Sequence, residues 1–292
     1  MRPQGKARQA GLNNPSMLKI FGGVARGKRL DSPSVYLRPM MGKVREAVYS
    51  TFKSFGVYDD PIGPRHLDLF SGSGSVGLES LSRGASHCTF CDLSQDCCGA
   101  IQRNIEWCQF DTSGDASSID SHNNESKADL SGKKGKKKNP KRQYHHKTTT
   151  NVVCADVLQL LRQPTSVGLS VADPALDAFD IITICPPYEE VVYADLLDAT
   201  VTSPLVKEDT IVLIEYPVEL WGDIPHVYRS SSSGGDDNGA NEREKVLIGI
   251  RNRKYGRTVI AMYICNPSGK YENADSRPEE FIWKQVGINC SI

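Results

Sequence analysis

Two short stretches carry residues whose types and spacing could do chemistry. The first is Leu67-Asp-Leu-Phe-Ser-Gly-Ser-Gly-Ser-Val-Gly-Leu-Glu79, in which Gly72, Gly74 and Gly77 satisfy G-x-G-x-x-G. That spacing lets backbone N–H groups and a helix N-terminus come close to a nucleotide-like ligand. Alone the pattern is weak, and its setting strengthens it. His66 to Phe70 is strand-like, and Val76 to Gly84 is helix-like with a glycine stop. The second stretch is Cys185-Pro-Pro-Tyr188, where two prolines after an apolar run fix the backbone and aim a carbonyl outward.

The elements that must position these residues alternate between strand and helix patterns from Leu67 onward, which predicts a parallel sheet covered on both faces. Three predicted strands end in acids: Asp68, Asp92 of Cys88-Thr-Phe-Cys-Asp92, and Asp156 of Val152-Val-Cys-Ala-Asp156. In a doubly wound sheet these ends line one crevice, so the acids converge on one bound molecule. A helix N-cap is the ordinary alternative for any single one of them. Asp92 is placed to accept from ribose hydroxyls, which serves NAD and S-adenosylmethionine alike. Asp68 discriminates: a carboxylate beside the glycine turn repels a pyrophosphate but attracts an ammonium or sulfonium. The ligand read from these residues is S-adenosylmethionine. Phe179-Asp-Ile-Ile-Thr-Ile184 is a fourth strand leading into Cys185, Thr210 to Tyr216 a fifth, and Val246–Ile250 with Arg257–Ile264 an antiparallel pair.

Ahead of the sheet, Ile20 to Leu30 reads as a β-ribbon with Arg26, Lys28 and Arg29 projecting from it, and Gly42 to Lys53 as an amphipathic helix. With Arg38, Lys43 and Arg45 these are phosphate-contact candidates, which position RNA without reading its sequence. The 292-residue chain has zero formal net charge, so nothing global announces a nucleic-acid binder. Nine cysteines, an odd number, suggest a reducing compartment. Cys88 and Cys91 lie three apart on a strand and point to opposite faces, so no metal site is expected. No apolar run approaches the ~20 residues that cross a bilayer, so no membrane partner is expected. The predicted organisation is a basic tail over 1–17, a ribbon and helix over 18–58, a catalytic domain over 59–268 and a C-terminal tail over 269–292. Polar, low-complexity insertions at 111–150 and 229–244 are predicted to be disordered loops.

On these residues the chain resembles the amino-methyltransferases, whose (Asp/Asn)-Pro-Pro-(Tyr/Phe) loop holds an exocyclic amine. More narrowly, it resembles the RsmD-type 16S ribosomal RNA (guanine-N2) methyltransferases. The resemblance rests on Gly22–Leu30, Leu37-Arg-Pro39, Lys43-Val-Arg-Glu46, Asp68–Glu79 and Pro186-Pro-Tyr188. It implies one class I, Rossmann-like α/β domain with a mostly parallel sheet and an antiparallel C-terminal hairpin. It also implies S-adenosylmethionine held by Asp68, Phe70, Ser71, Gly72, Ser73, Gly74, Gly77, Asp92, Leu93, Asp156 and Val157, and a catalytic loop of Cys185, Pro186, Pro187 and Tyr188. The implied partner is small-subunit ribosomal RNA or its assembly particle, met by a monomer. The family has an acid or amide where this chain has Cys185, and a thiol is a poor acceptor, which removes a hydrogen bond worth on the order of 1–3 kcal/mol. An active but altered enzyme is the expected reading, with an RNA-binding assembly factor and a DNA adenine methyltransferase as its rivals. A bacterial-type sequence with a basic leader and low-complexity insertions is expected in an organelle, a plastid ahead of a mitochondrion, or in a bacterial cytoplasm.

Overall fold

The computed structural model describes residues 18–35, 38–110, 148–170, 177–230 and 244–282. The predicted N-terminal tail, and most of both predicted insertions, lie outside the described residues. The ordered elements are α1 (Gly42–Ser54), β1 (Arg65–Leu69), α2 (Ser75–Arg83), β2 (His87–Asp92), α3 (Gln95–Cys108), β3 (Thr149–Cys154) and α4 (Val157–Arg162). They continue with β4 (Phe179–Ile184), α5 (Tyr193–Thr202), β5 (Val206–Pro217), β6 (Val227–Arg229), β7 (Val246–Tyr255) and β8 (Thr258–Cys265). The strands form one eight-stranded sheet in the order β3-β2-β1-β4-β5-β8-β7-β6. The first five are parallel, and β8, β7 and β6 extend the sheet antiparallel.

The sheet is buried on both faces, and its central strands β1, β4 and β5 are shielded at nearly every position. Leu67 and Leu69 of β1 pack with α4 and α5, through Leu160, Leu161, Leu196 and Leu197. Ile181, Ile211 and Leu213 pack on the opposite face against Val44, Val48 and Phe52 of α1. Cys88 joins the layer under α2 and α3, whereas Cys91 joins the α4–α5 side, so the two thiols do point away from each other. Strand order reverses between β1 and β4, and the crevice at their C-terminal ends is where a sheet of this topology binds ligands.

Four boundaries differ from the sequence reading. The predicted β-ribbon narrows to one bridge, Lys19 to Arg29, flanked by Ile20 N–H to Lys28 O and Leu30 N–H to Leu18 O at 2.9 Å, because its tip is tied to α2 instead: Val24 N–H to Ser82 O at 2.8 Å, and Ala25 N–H to Ser82 Oγ at 2.9 Å. Strand β3 begins at Thr149, inside the first predicted insertion, where it pairs with His87. Arg229, placed in the second insertion, ends β6. Residues 269–282 are no free tail: Phe281 is buried against Tyr263, and Glu280 accepts from Asn252 N–H at 2.8 Å.

Candidate active site

The glycine turn is built by backbone geometry. Phe70, Gly72 and Gly74 have φ of 56°, 55° and 74°, left-handed values that glycine adopts freely and a phenylalanine holds only under constraint. Gly77 is required for another reason, since a Cβ there would meet Phe90 at 2.4 Å and Cys88 Sγ at 2.6 Å. The helix therefore lies directly on β2. Ser71 ties the turn to the sheet, its N–H donating to Cys91 O at 3.1 Å and its hydroxyl to Asp68 O at 2.6 Å. Ser73 carries a buried Oγ with no hydrogen-bond partner.

The three strand-end acids have three different surroundings. Asp68 is buried at the end of β1, where it accepts from Gly77 N–H at 2.9 Å and from Thr183 Oγ1 at 2.8 Å. Burial pushes its carboxyl up to about 7, against the pull of those two hydrogen bonds. Behind it, His66 Nε2 sits 3.0 Å from Thr183 Oγ1, and burial holds that imidazole down at about 3, hence neutral. Asp92 clasps the turn from β2, with Oδ2 accepting from Gly72 N–H at 2.8 Å and Oδ1 from Ser94 N–H at 2.9 Å. Leu93 beside it is 72% exposed, a large apolar side chain presented at the crevice edge of β2. Asp156 is exposed and is the N-cap of α4, accepting from Gln159 N–H at 2.9 Å, while Val157 belongs to the core. The capping alternative thus describes Asp156 and not Asp68 or Asp92.

Across the crevice, Cys185-Pro-Pro-Tyr188 leaves β4 next to the turn, with Cys185 N–H donating to Leu69 O at 3.4 Å. Pro186 is buried, Pro187 exposed, and Cys185 and Tyr188 are half-buried. Sequence reasoning missed the group that organises this loop. Glu215 on β5 is 5% exposed, accepts from Tyr188 Oη at 2.8 Å, and is also met by the Cys185 thiol. Burial pushes the Glu215 carboxyl above its ordinary range, and burial together with Glu215 pushes the Cys185 thiol up, so it stays protonated. Tyr188 Oη is also 3.0 Å from Thr258 Oγ1 on β8. Its ring is covered on one face by the Arg38 guanidinium at 4.3 Å, which donates to Thr258 Oγ1 at 3.2 Å. The only signal in the sequence was an acid near the end of an otherwise apolar strand, Ile211-Val-Leu-Ile-Glu-Tyr216.

The six basic candidates do not form one set. Arg26, Arg29, Arg38 and Lys43 are exposed, and Lys28 donates to Trp107 O at 2.8 Å. Arg45 is 1% exposed, donates to Lys19 O at 2.5 Å and lies 3.6 Å from Glu79. It is a corrected expectation: a side chain facing inward from α1 cannot reach a phosphate from there. Glu79, fully buried on α2, accepts from the N–H groups of Phe21 and Gly22 at 2.8 and 2.7 Å and from Arg83 at 2.8 Å. These two residues of the recognition pattern fasten the N-terminal arm to the domain.

Comparison with known proteins follows the same lines. The family model described as Conserved hypothetical protein 95 matches residues 18–141. YlbH of Bacillus subtilis, provisionally named an rRNA methyltransferase, is 36% identical over 90 residues, 30% of this chain and 46% of YlbH. Ribosomal RNA small subunit methyltransferase D of Escherichia coli is 34% identical over 89 residues, 30% of this chain and 42% of the relative. The chain thus spans about half the length of these curated relatives, although a methylase of Rickettsia prowazekii is 25% identical over 68% of this chain and 85% of its own. Among solved structures, Escherichia coli yhhF, provisionally named a methyltransferase, superposes with a TM-score of 0.53 at 16% identity, covering 86% of this chain and 99% of that one. This likeness shows the fold alone, a parallel α/β sheet with an antiparallel extension. The matched segment carries the arm, α1 and the glycine turn, and over residues 18–141 the chain is similar to the family described as Conserved hypothetical protein 95.

Proposed function

We propose that this protein transfers a methyl group from S-adenosylmethionine to the exocyclic N2 amine of a guanine in small-subunit ribosomal RNA, free or in an assembly particle, and acts as a monomer. The observation that carries the reading is the pairing, at adjacent strand ends, of a glycine turn backed by buried Asp68 with the Pro-Pro-Tyr loop held by Glu215. The residues fit the methyl donor. Asp68 is a buried carboxylate whose two hydrogen-bond partners are uncharged, so a cation nearby would restore its ionised form, and the Ser73 hydroxyl lacks a partner.

S-Adenosylmethionine supplies a methyl group already activated on a sulfonium. The chain's own contribution is therefore positioning and electrostatics. Asp92 would accept from ribose hydroxyls, Leu93 would cover an apolar ring face, and the turn's backbone would hold the ligand's polar end. Pro186 and Pro187 fix the loop, its carbonyls facing an amine brought out of its stack. Arg26, Arg29, Arg38 and Lys43 would hold the RNA backbone. A plastid location is proposed with this activity, on the basic, acid-free first thirty residues, and a fluorescent fusion of the full chain tests it.

The decisive measurement is transfer of labelled methyl to small-subunit RNA and particles, followed by nucleoside mass spectrometry. N2-methylguanine is the expected product. Failure of transfer to every substrate form supports the binding-only reading instead, and N6-methyladenine in DNA would support the third.

A further inference from the structure

Position 185 cannot serve as the amine's acceptor in the way that an acid or amide would. Its half-buried thiol stays protonated and donates rather than accepts. The neighbouring strand places a carboxylate on the other side of that thiol. Glu215 sits beneath the loop, held by Tyr188 Oη at 2.8 Å and by the Cys185 thiol, in a site that excludes water from all but 5% of the residue. Two donors do not exhaust the lone pairs of two carboxylate oxygens. A buried acid with neutral donors and an exposed arginine overhead is poised to accept further hydrogen bonds from an uncharged N–H edge.

We infer that Glu215 is the acceptor of the target amine in this chain, taking over from β5 the part that an acid or amide at position 185 would play from β4. The inference rests on the proposed guanine reading. When the base enters, its amine donates to the Glu215 carboxylate in exchange for the Cys185 thiol. The amine nitrogen's lone pair then forms the bond to the methyl carbon, the carbon–sulfur electron pair stays on sulfur, and the proton shed by nitrogen passes to the carboxylate. The same oxygens can accept from guanine N1–H, which adenine lacks, so Glu215 also favours guanine over adenine.

The test uses the full chain with labelled S-adenosylmethionine and small-subunit particles. Glu215→Met, which keeps the length of the side chain and removes its acceptor oxygens, is expected to lower turnover by about 100-fold, while calorimetry finds the affinity for S-adenosylhomocysteine within about twofold of wild type. Adding Cys185→Asn to Glu215→Met is expected to restore turnover to within about tenfold of wild type, because an amide acceptor then returns to the loop. Undiminished turnover in Glu215→Met, or no recovery when Cys185→Asn is added to it, overturns the assignment and leaves the guanine reading standing. A wild-type chain that transfers no methyl overturns both together.

Discussion

The two sides of the crevice are built in different ways. The cofactor side is made of backbone: a turn with left-handed glycines, N–H groups held by Asp92 and Asp68, and carbonyls that take up Ser71. Its parts lie within one stretch of chain plus the next strand. The target side is made of side chains drawn together from afar, with Tyr188 reaching Glu215 across 27 residues and Thr258 across 70, and Arg38 reaching Thr258 across 220. A surface made from backbone tolerates changes in side chains that leave its turns intact. A surface made from side chains can exchange one acceptor for another, as Cys185 and Glu215 illustrate.

That contrast can be broken or sharpened experimentally. The largest effect is expected from Asp92→Ala, which removes the acceptor of two backbone N–H groups and of the proposed ribose contact. Affinity for S-adenosylhomocysteine should fall by roughly 100-fold, about 3 kcal/mol, in a calorimetric titration. An unchanged isotherm would mean that the turn holds itself without the acid.

Asp68 connects the cofactor side to stability. Its carboxyl titrates near 7 in the folded chain and near the ordinary 3.8 when unfolded. Below about pH 4 it is protonated in both states. Between there and pH 7 only the unfolded chain releases the proton, so the fold loses stability as pH rises and the loss is complete above 7. Asp68→Asn should therefore raise the melting temperature at pH 8 and not at pH 4, a gain of roughly 1–3 kcal/mol at pH 8, while weakening the methyl donor. Equal shifts at both pH values would contradict an ionised, strained Asp68.

Tyr188→Phe keeps the ring and deletes the hydroxyl bonds to Glu215 and Thr258. Turnover should drop by about tenfold, with donor affinity unchanged. A parallel loss of donor affinity would show that the two sides are not independent. The smallest effect belongs to Arg38→Ala, where loss of an exposed cation over an aromatic face is worth about 0.5–1 kcal/mol. RNA affinity should fall a few-fold, and the slope of its salt dependence should drop by about one. No change in slope would place Arg38 off the phosphate backbone.

The sequence displays the cofactor side almost completely, because glycine spacing, strand-end acids and apolar periodicity are local signals. Strands β1, β2 and β4 fall within two residues of where pattern reading places them. The target side is legible only through Cys185-Pro-Pro-Tyr188. Glu215 is one acid in an apolar strand, and its meaning comes from register: β5 lies beside β4 and brings the end of one strand under the loop that leaves the other. Arg45 shows the converse failure. A basic residue next to exposed Lys43 resembles a phosphate contact, yet the helical period turns it inward to Glu79, with Tyr49 and Phe52 buried on the same helix. The arm misleads only at its tip, where the N–H groups of Phe21, Gly22 and Val24 bond to α2 while those of Ile20 and Leu30 pair across the ribbon.

The direction of the strands has a practical consequence for adding sequence to this molecule. By parallel and antiparallel pairing, the starts of β3, β4 and β7 and the end of β6 lie on the rim opposite the crevice. Closing a longer loop there costs little, because the entropic penalty grows only logarithmically with length. That rim is accordingly the place to splice in a reporter domain or affinity tag, with the approach to the glycine turn and the Pro-Pro-Tyr loop left clear.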